Sequence, residues 1–86
     1  MWDVTYTSEA VRSLTRMDTV IAKRIRSKVL ALAINPNAAN NNVTKLVGVD
    51  GYRLRVGDWR VRLQLDFDAR TVIVVRILPR GRAYDR

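Results

Sequence analysis

Apolar and polar residues alternate in several short stretches of the chain, and each stretch predicts a β-strand. The predicted strands are Trp2–Tyr6, Tyr52–Val56, Trp59–Asp66 and Thr71–Leu78, the last an almost continuous run of valine and isoleucine. Successive side chains of a strand point to opposite faces, so alternation indicates a sheet with one buried face. Val43–Val47 is compatible with a short edge strand or with a lead-in to the next strand.

Between the first strand and Pro36, apolar residues recur at helical spacing and predict two helices. Thr7 or Ser8 can cap the first helix, whose apolar positions are Ala10, Leu14 and Met17. A break at Asp18-Thr19 starts the second, with an apolar stripe formed by Ile21, Ile25, Val29, Leu32 and Ala33. This helix ends before Pro36, because the proline ring disfavours helical geometry at the preceding residue.

This order of elements predicts a single α+β domain over residues 1–86. A chain of 86 residues is long enough for one small hydrophobic core and for one domain. We expect an N-terminal strand and two helices packed on one face of a mainly antiparallel four-stranded sheet. The other face of the sheet is then left open.

The dipeptide Gly57-Asp58 predicts a two-residue hairpin turn, because glycine readily adopts the positive φ that such turns require. A turn at this place fixes the register of the two strands around it. Arg55 then faces Arg60, and Arg53 faces Arg62. Alternation puts these four arginines on one face, and on the other the apolar residues Tyr52, Leu54, Val56, Trp59, Val61, Leu63 and Leu65.

Composition narrows the chemistry that such a face can perform. The net charge is +8, thirteen of the sixteen cationic residues are arginine, and histidine and cysteine are absent. A disulfide scaffold, a thiolate zinc site, a cysteine nucleophile and a histidine base are therefore excluded. We expect no metal and no cofactor. The basic excess predicts a polyanionic partner, with nucleic acid favoured over a membrane.

Opposed like charges destabilise a strand pair, and no acidic residue on these strands lies between the arginines. The arginines either form a solvated strand face or converge to bind an anion, and guanidinium geometry matches phosphate. Arg80, Arg82 and Arg86 follow the last predicted strand, either as a basic terminus or as part of the same site.

The chain has no apolar run long enough to span a membrane and no apparent secretion signal, so we expect a cytoplasmic protein.

Several residues together resemble the RelE/ParE superfamily of toxins from type II toxin–antitoxin systems. They are Asn35-Pro36, the pattern Lys45-Leu46-x-Gly48, the run Tyr-Arg-Leu-Arg-Val-Gly-Asp-Trp-Arg-Val from Tyr52 to Val61, and a terminal arginine followed by Tyr84. The likeness covers nearly the whole chain. The run from Tyr52 is specific in this context, whereas the other pieces are weak alone.

The resemblance implies an activity and a set of residues. RelE-like members are endoribonucleases that bind in the ribosomal A site, where their partners are mRNA and 16S rRNA. They cut the mRNA without a metal ion and thereby inhibit translation. Their catalytic positions are occupied here by Arg53, Arg55, Arg60, Arg80 and Tyr84. We assign Lys45, Arg62 and Arg82 as further RNA contacts. The ribose 2′-OH would attack the phosphate, and Arg60 and Arg80 would clamp it.

One departure from the family pattern leaves the general base open. RelE-like enzymes often have lysines where this chain has Arg53 and Arg55, and arginine remains protonated in proteins. Either Tyr84 or a group of the ribosome serves as the base, or Arg53 and Arg55 act only electrostatically. Asp58 and Asp85 are further possibilities.

The resemblance also implies a partner and alternatives. A cognate antitoxin of the RelB type would wrap and neutralise the toxin. ParE-like members of the superfamily inhibit DNA gyrase and lack the basic catalytic set, so a gyrase inhibitor is the first alternative. A non-catalytic nucleic-acid-binding module is the second, and it would be harmless when expressed alone.

Overall fold

The chain forms two helices packed against a five-stranded sheet in a computed structural model that describes residues 1–37 and 42–82, with only the backbone of Arg82. In chain order the elements are β1 Asp3–Tyr6, α1 Ser8–Arg16, α2 Thr19–Ile34, β2 Val43–Lys45, β3 Tyr52–Val56, β4 Trp59–Asp66 and β5 Thr71–Pro79, followed by a short 3₁₀ turn over Arg80–Arg82. The predicted α+β class is confirmed.

The sheet has the order β1-β5-β4-β3-β2, so the expected number of four strands is wrong. The fifth strand is β2, which pairs antiparallel with β3 through Val43 and Leu54 and two further register pairs. It supplies hydrogen-bond partners to an edge of β3 that would otherwise be unpaired. At the other edge, β1 pairs parallel with β5, and the remaining strand pairs are antiparallel.

Both helices begin at the residues that the sequence predicts. The Thr7 hydroxyl accepts a hydrogen bond from the Ala10 amide at 3.2 Å, and the Asp18 carboxylate accepts one from the Val20 amide at 2.8 Å. Each cap satisfies an amide at a helix start that has no partner inside the helix. Among the described residues, neither helix is long and apolar enough to cross a membrane.

The core lies between the helices and one face of the sheet. Its fully buried large side chains are Ile25, Val29, Leu54, Val61, Leu63, Val72 and Val74. The predicted apolar face of the hairpin is confirmed, because Tyr52, Trp59 and Leu65 also pack against this core. The register around Gly57-Asp58 is confirmed as well, with Arg55 opposite Arg60 and Arg53 opposite Arg62.

A bulge interrupts the pairing of β4 with β5. Arg62 pairs with Arg76, but the next residue, Leu63, pairs with Val74, so Val75 is the extra residue. The carbonyl of Val75 accepts a hydrogen bond from the Thr7 hydroxyl at 2.7 Å. The bulge allows Val74 and Ile77 both to be buried while Arg76 stays opposite Arg62.

Gly51, immediately before β3, cannot be replaced without strain. Its φ is +117°, and a Cβ built on it would lie 2.7 Å from the Leu63 carbonyl oxygen. We expect Gly51→Ala to lower the free energy of unfolding by about 1–3 kcal/mol, measured by urea denaturation. Gly48→Ala is the matched control, because Gly48 has a φ of +82° and no atom within 4 Å of the added Cβ. Equal losses in the two variants would contradict the proposed clash.

Candidate nucleic-acid interface

A cationic cavity of about 480 Å³ lies at the hairpin end of the sheet. Its lining combines residues of α2, of β3, of β4 and of the segments beside them: Arg24, Lys28, Asn42, Arg55, Val56, Gly57, Asp58, Arg60 and Arg80. Five of these nine residues are cationic, and Asp58 is the one carboxylate among them. Such a concentration of one charge in a concave surface attracts an anion. We call this feature the arginine cavity.

Arg60 is held rigidly in the wall of the arginine cavity. Its Nη1 donates hydrogen bonds to the carbonyls of Gly57 at 2.8 Å and Trp59 at 2.9 Å. The residue is only 7% exposed, so the expectation of a fully open arginine face is wrong for Arg60. The two carbonyls explain the burial, because a charged group is tolerated away from water only where hydrogen bonds compensate it.

Arg55 lies opposite Arg60 and is fixed from another direction. Its Nε and Nη2 donate to the Asn42 side-chain oxygen at 3.3 and 2.9 Å. The backbone adds a hydrogen bond from the Arg55 amide to the Asn42 carbonyl at 2.8 Å. Asn42 was not singled out from the sequence, where it is one residue of a polar run. It positions Arg55 beside the buried Arg60.

Arg80 reaches the arginine cavity because the chain after β5 is attached to the hairpin turn. The Arg80 amide donates a 2.7 Å hydrogen bond to the carbonyl of Asp58. The Arg80 residue itself is exposed and lines the cavity together with Arg55 and Arg60. Three of the arginines predicted from the sequence are therefore brought together at one end of the sheet.

A second row of arginines crosses the sheet next to this site. Arg53 faces Arg62, and Arg62 faces Arg76 on β5. The Arg76 Nε donates to the Glu9 carboxylate at 2.8 Å, so an acidic residue from α1 neutralises the outer end of the row. The sequence pattern does not identify Arg76, because it predicts a regular strand for β5. The bulge at Val75 shifts the in-and-out alternation of the β5 side chains and places Arg76 opposite Arg62.

Some predicted site residues lie elsewhere. Lys45 is at the far end of β2, paired with Tyr52, and lines a separate cavity of about 510 Å³ with Asp50, Asp66 and Asp68. Tyr84 lies outside the described residues, as does the side chain of Arg82. Arg24 and Lys28 line the arginine cavity, whereas the sequence pattern places them only beside the apolar stripe of α2. No local sequence signal connects an α2 residue with a turn 30 positions later.

The titratable groups near the arginine cavity limit the choice of proton acceptor. Among the described residues that line the cavity, Asp58 is the one with a carboxylate. Tyr6 lies on the parallel edge strand, where burial raises the pKa of its phenol and Arg26 partly offsets the rise. Tyr6 is not among the residues that line the arginine cavity, so it is not placed to take a proton there. Within residues 1–37 and 42–82, no three acidic side chains lie close enough to hold a metal ion.

Comparisons with known proteins agree with this architecture. The family described as ParE toxin of type II toxin–antitoxin system, parDE, matches residues 4–84. The archaeal RelE–RelB complex from Pyrococcus horikoshii contains a chain with 26% identity and a TM-score of 0.81, with 94% of this chain and 97% of that chain covered. A comparison with curated proteins gives no match.

Two further toxin–antitoxin structures are similar to this chain. The RelB–RelE complex from Methanococcus jannaschii gives 27% identity and a TM-score of 0.71 over 94% of this chain and 95% of that chain. The RelBE2 complex from Mycobacterium tuberculosis gives 22% identity and a TM-score of 0.77 over 92% and 98%. Because the family match runs over nearly the whole chain, this protein belongs to the RelE/ParE superfamily and is a toxin of a type II toxin–antitoxin system.

Proposed function

We propose that this toxin is a metal-independent endoribonuclease that cleaves mRNA in the ribosomal A site and thereby inhibits translation. The observation that carries the proposal is the arginine cavity, in which Arg55, Arg60 and Arg80 come from three different segments. Fixed guanidiniums bind phosphate oxygens with two parallel hydrogen bonds. Two of the three are oriented by hydrogen bonds within the protein before any substrate arrives.

The reaction proposed for this site needs only charge stabilisation and a proton acceptor. The ribose 2′-oxygen forms a bond to phosphorus, the bond from phosphorus to the 5′-oxygen breaks, and the products are a 2′,3′-cyclic phosphate and a 5′-OH. The attacking hydroxyl gives its proton to a base, and the leaving oxygen takes one up. Negative charge accumulates on the phosphorane oxygens, where preorganised cations lower the barrier.

Each guanidinium has a distinct part in this scheme. Both hydrogen bonds of Arg60 within the described chain use Nη1, which leaves the edge formed by Nε and Nη2 for a phosphate. Arg55 uses Nε and Nη2 on Asn42 and retains Nη1. Arg80 lines the cavity from the 3₁₀ turn after β5 and would contact the same phosphate. The base is Tyr84, a ribosomal group or Asp58, which lines the cavity.

The proposed partner of the toxin in the cell is a RelB-like antitoxin. The structures from Pyrococcus horikoshii and Methanococcus jannaschii, each above 25% identity, are RelE–RelB complexes. An antitoxin that covers the arginine cavity or distorts its walls would keep the ribonuclease inactive. The protein acts in the cytoplasm in this proposal, because its target is the translating ribosome.

A gyrase inhibitor is the second candidate function, because the family that matches the sequence is named for ParE. Against it stands the arginine cavity, since the superfamily members that inhibit gyrase lack the basic catalytic set. Induction of the toxin separates the two functions. A ribonuclease cuts translated mRNA and leaves DNA intact, whereas a gyrase inhibitor produces DNA damage with intact transcripts.

The proposal is tested by cleavage of mRNA on purified ribosomes with Arg80→Ala. Arg80 is exposed, so we expect the fold to survive and single-turnover cleavage to fall by about 10²–10³-fold through the lost phosphate contact. Arg12→Ala, which removes an exposed cation of α1, is the control and should change the rate by less than about twofold. Wild-type cleavage by Arg80→Ala would show that the site is wrong. A wild-type toxin that cuts no mRNA would exclude the ribonuclease.

A further inference from the structure

Two cations of the arginine cavity come from the helical layer and have no part in the proposed chemistry. Arg24 and Lys28 are four residues apart on α2, so their side chains lie on the same face of the helix. Both residues are exposed, and both line the cavity beside Arg55, Arg60 and Arg80. Arg24 extends over the hairpin turn, because a Cβ built on Gly57 would lie 4.0 Å from its Nη1.

Nothing within the described residues neutralises this pair. No carboxylate of residues 1–37 and 42–82 forms an ion pair with Arg24 or Lys28. Like charges at this helical spacing repel each other and destabilise the helix. The pair also adds its charge to that of the sheet arginines, and among the described residues that line the cavity only Asp58 carries a carboxylate. An incoming polyanion would relieve both repulsions.

The cavity has room for a ligand larger than one phosphate. Cavities of about 300–1,000 Å³ hold whole small ligands, and this one measures about 480 Å³. The sheet arginines and the α2 cations come from the two layers of the protein, and both sets line the cavity at the hairpin turn. A continuous ligand with repeated negative charges can contact both sets at once.

We propose that Arg24 and Lys28 form a second subsite that binds a backbone phosphate of single-stranded RNA next to the one held by Arg55, Arg60 and Arg80. The inference rests on the proposed ribonuclease function and extends it. The RNA backbone passes the hairpin turn from the sheet towards α2. The contact is to phosphate, so it contributes affinity without base preference and weakens with salt.

A double variant tests the subsite through binding rather than cleavage. The probe is a fluorescent single-stranded RNA oligonucleotide with a 2′-deoxy substitution at each nucleotide that is cut, and its Kd is measured at several salt concentrations. We expect Arg24→Gln with Lys28→Gln to weaken binding by about tenfold at low salt and to reduce the slope of log Kd against log salt by about 0.7, the value for one lost phosphate contact on a single strand. Glutamine retains helix propensity, so α2 should stay folded.

The control removes the same charge at another place. Arg12→Gln with Lys23→Gln takes two exposed cations from the helices, neither of which lines the cavity. Equal effects of the two double variants would overturn the subsite, because they would indicate net charge alone. The Arg24→Gln, Lys28→Gln variant should lose affinity for a single-stranded DNA of the same sequence by the same factor. A loss of affinity for RNA alone would contradict a phosphate contact.

The outcome can be separated from that of the ribonuclease test. If Arg80→Ala is inactive on ribosomes while the α2 double variant binds RNA like the wild type, the subsite is wrong and the ribonuclease stands. If the wild-type toxin cuts no mRNA, the ribonuclease is wrong. In that case the anion subsite is still tested by binding: the α2 double variant must show the smaller slope of log Kd against log salt, and a wild-type slope would overturn the subsite.

Discussion

Arg60→Ala is expected to reduce ribosome-dependent mRNA cleavage by about 10²–10³-fold and to lower the stability of the fold as well. In the proposed reaction this side chain presents its Nε and Nη2 edge to the phosphate, and in the structure its Nη1 holds the carbonyls of Gly57 and Trp59. Both carbonyls lie at the hairpin turn that positions Arg55 and Arg60 opposite each other. One substitution therefore removes a phosphate contact and loosens the turn.

The loss of stability follows from the burial of Arg60. At 7% exposure, the side chain fills space that water enters only in part, so the two carbonyls lose their donor without full replacement. Both hydrogen bonds are partly buried and come from a charged donor, and the loss of such a bond costs about 1.5–3 kcal/mol. We expect the free energy of unfolding in urea to fall by an amount in this range. Cleavage must then be assayed at a temperature where the variant is still folded.

Arg60→Lys separates the charge of Arg60 from its geometry. Lysine keeps the positive charge but has one nitrogen, which cannot bond two carbonyls and also present a two-pronged edge to a phosphate. We expect Arg60→Lys to recover part of the stability while cleavage stays low. Recovery of wild-type cleavage by lysine would indicate that Arg60 acts as a simple charge. Wild-type cleavage by Arg60→Ala would exclude Arg60 from the site.

The sequence predicts those parts of the fold that depend on local signals. The turn at Gly57-Asp58 fixes the hairpin register, because glycine adopts the positive φ of 57° found there. The caps at Thr7 and Asp18 likewise act within three residues of themselves. For such features, the residues that decide the structure are adjacent in the chain.

The remaining features depend on contacts between distant segments. The strand Val43–Lys45 has only three residues, so the sequence pattern leaves open whether this segment is an edge strand or a lead-in, and its pairing with the edge of β3 decides for the strand. Arg60 reads as one more exposed arginine until the carbonyls of its own turn fold back on it. Arg24 is part of the site only because α2 packs across the hairpin. Only the tertiary packing places Arg24 at the cavity, because the sequence pattern by itself shows a polar position on a helix.

Leu54→Ala is the second substitution with a large expected effect, through the core instead of the cavity. Leu54 is 1% exposed in the middle of β3, where it pairs with Val43 on one side and Val61 on the other. Truncating a buried leucine costs about 2–5 kcal/mol, because the cavity left behind collapses only partly. The total free energy of unfolding of a small domain is about 5–15 kcal/mol, so we expect this variant to lose a large part of its stability.

The effect on the arginine cavity follows from the position of Leu54 between Arg53 and Arg55. Its side chain anchors β3 in the core from the face opposite these arginines, so weaker packing there lets Arg55 move relative to Arg60. Urea denaturation measures the loss directly, and each kcal/mol lowers Tm by about 4–8 °C in a domain of this size. Leu30→Ala is the control, since Leu30 is 44% exposed on α2 and should cost less than about 1 kcal/mol. If Leu54→Ala unfolded no more easily than Leu30→Ala, β3 would not be the rigid support that the cavity requires.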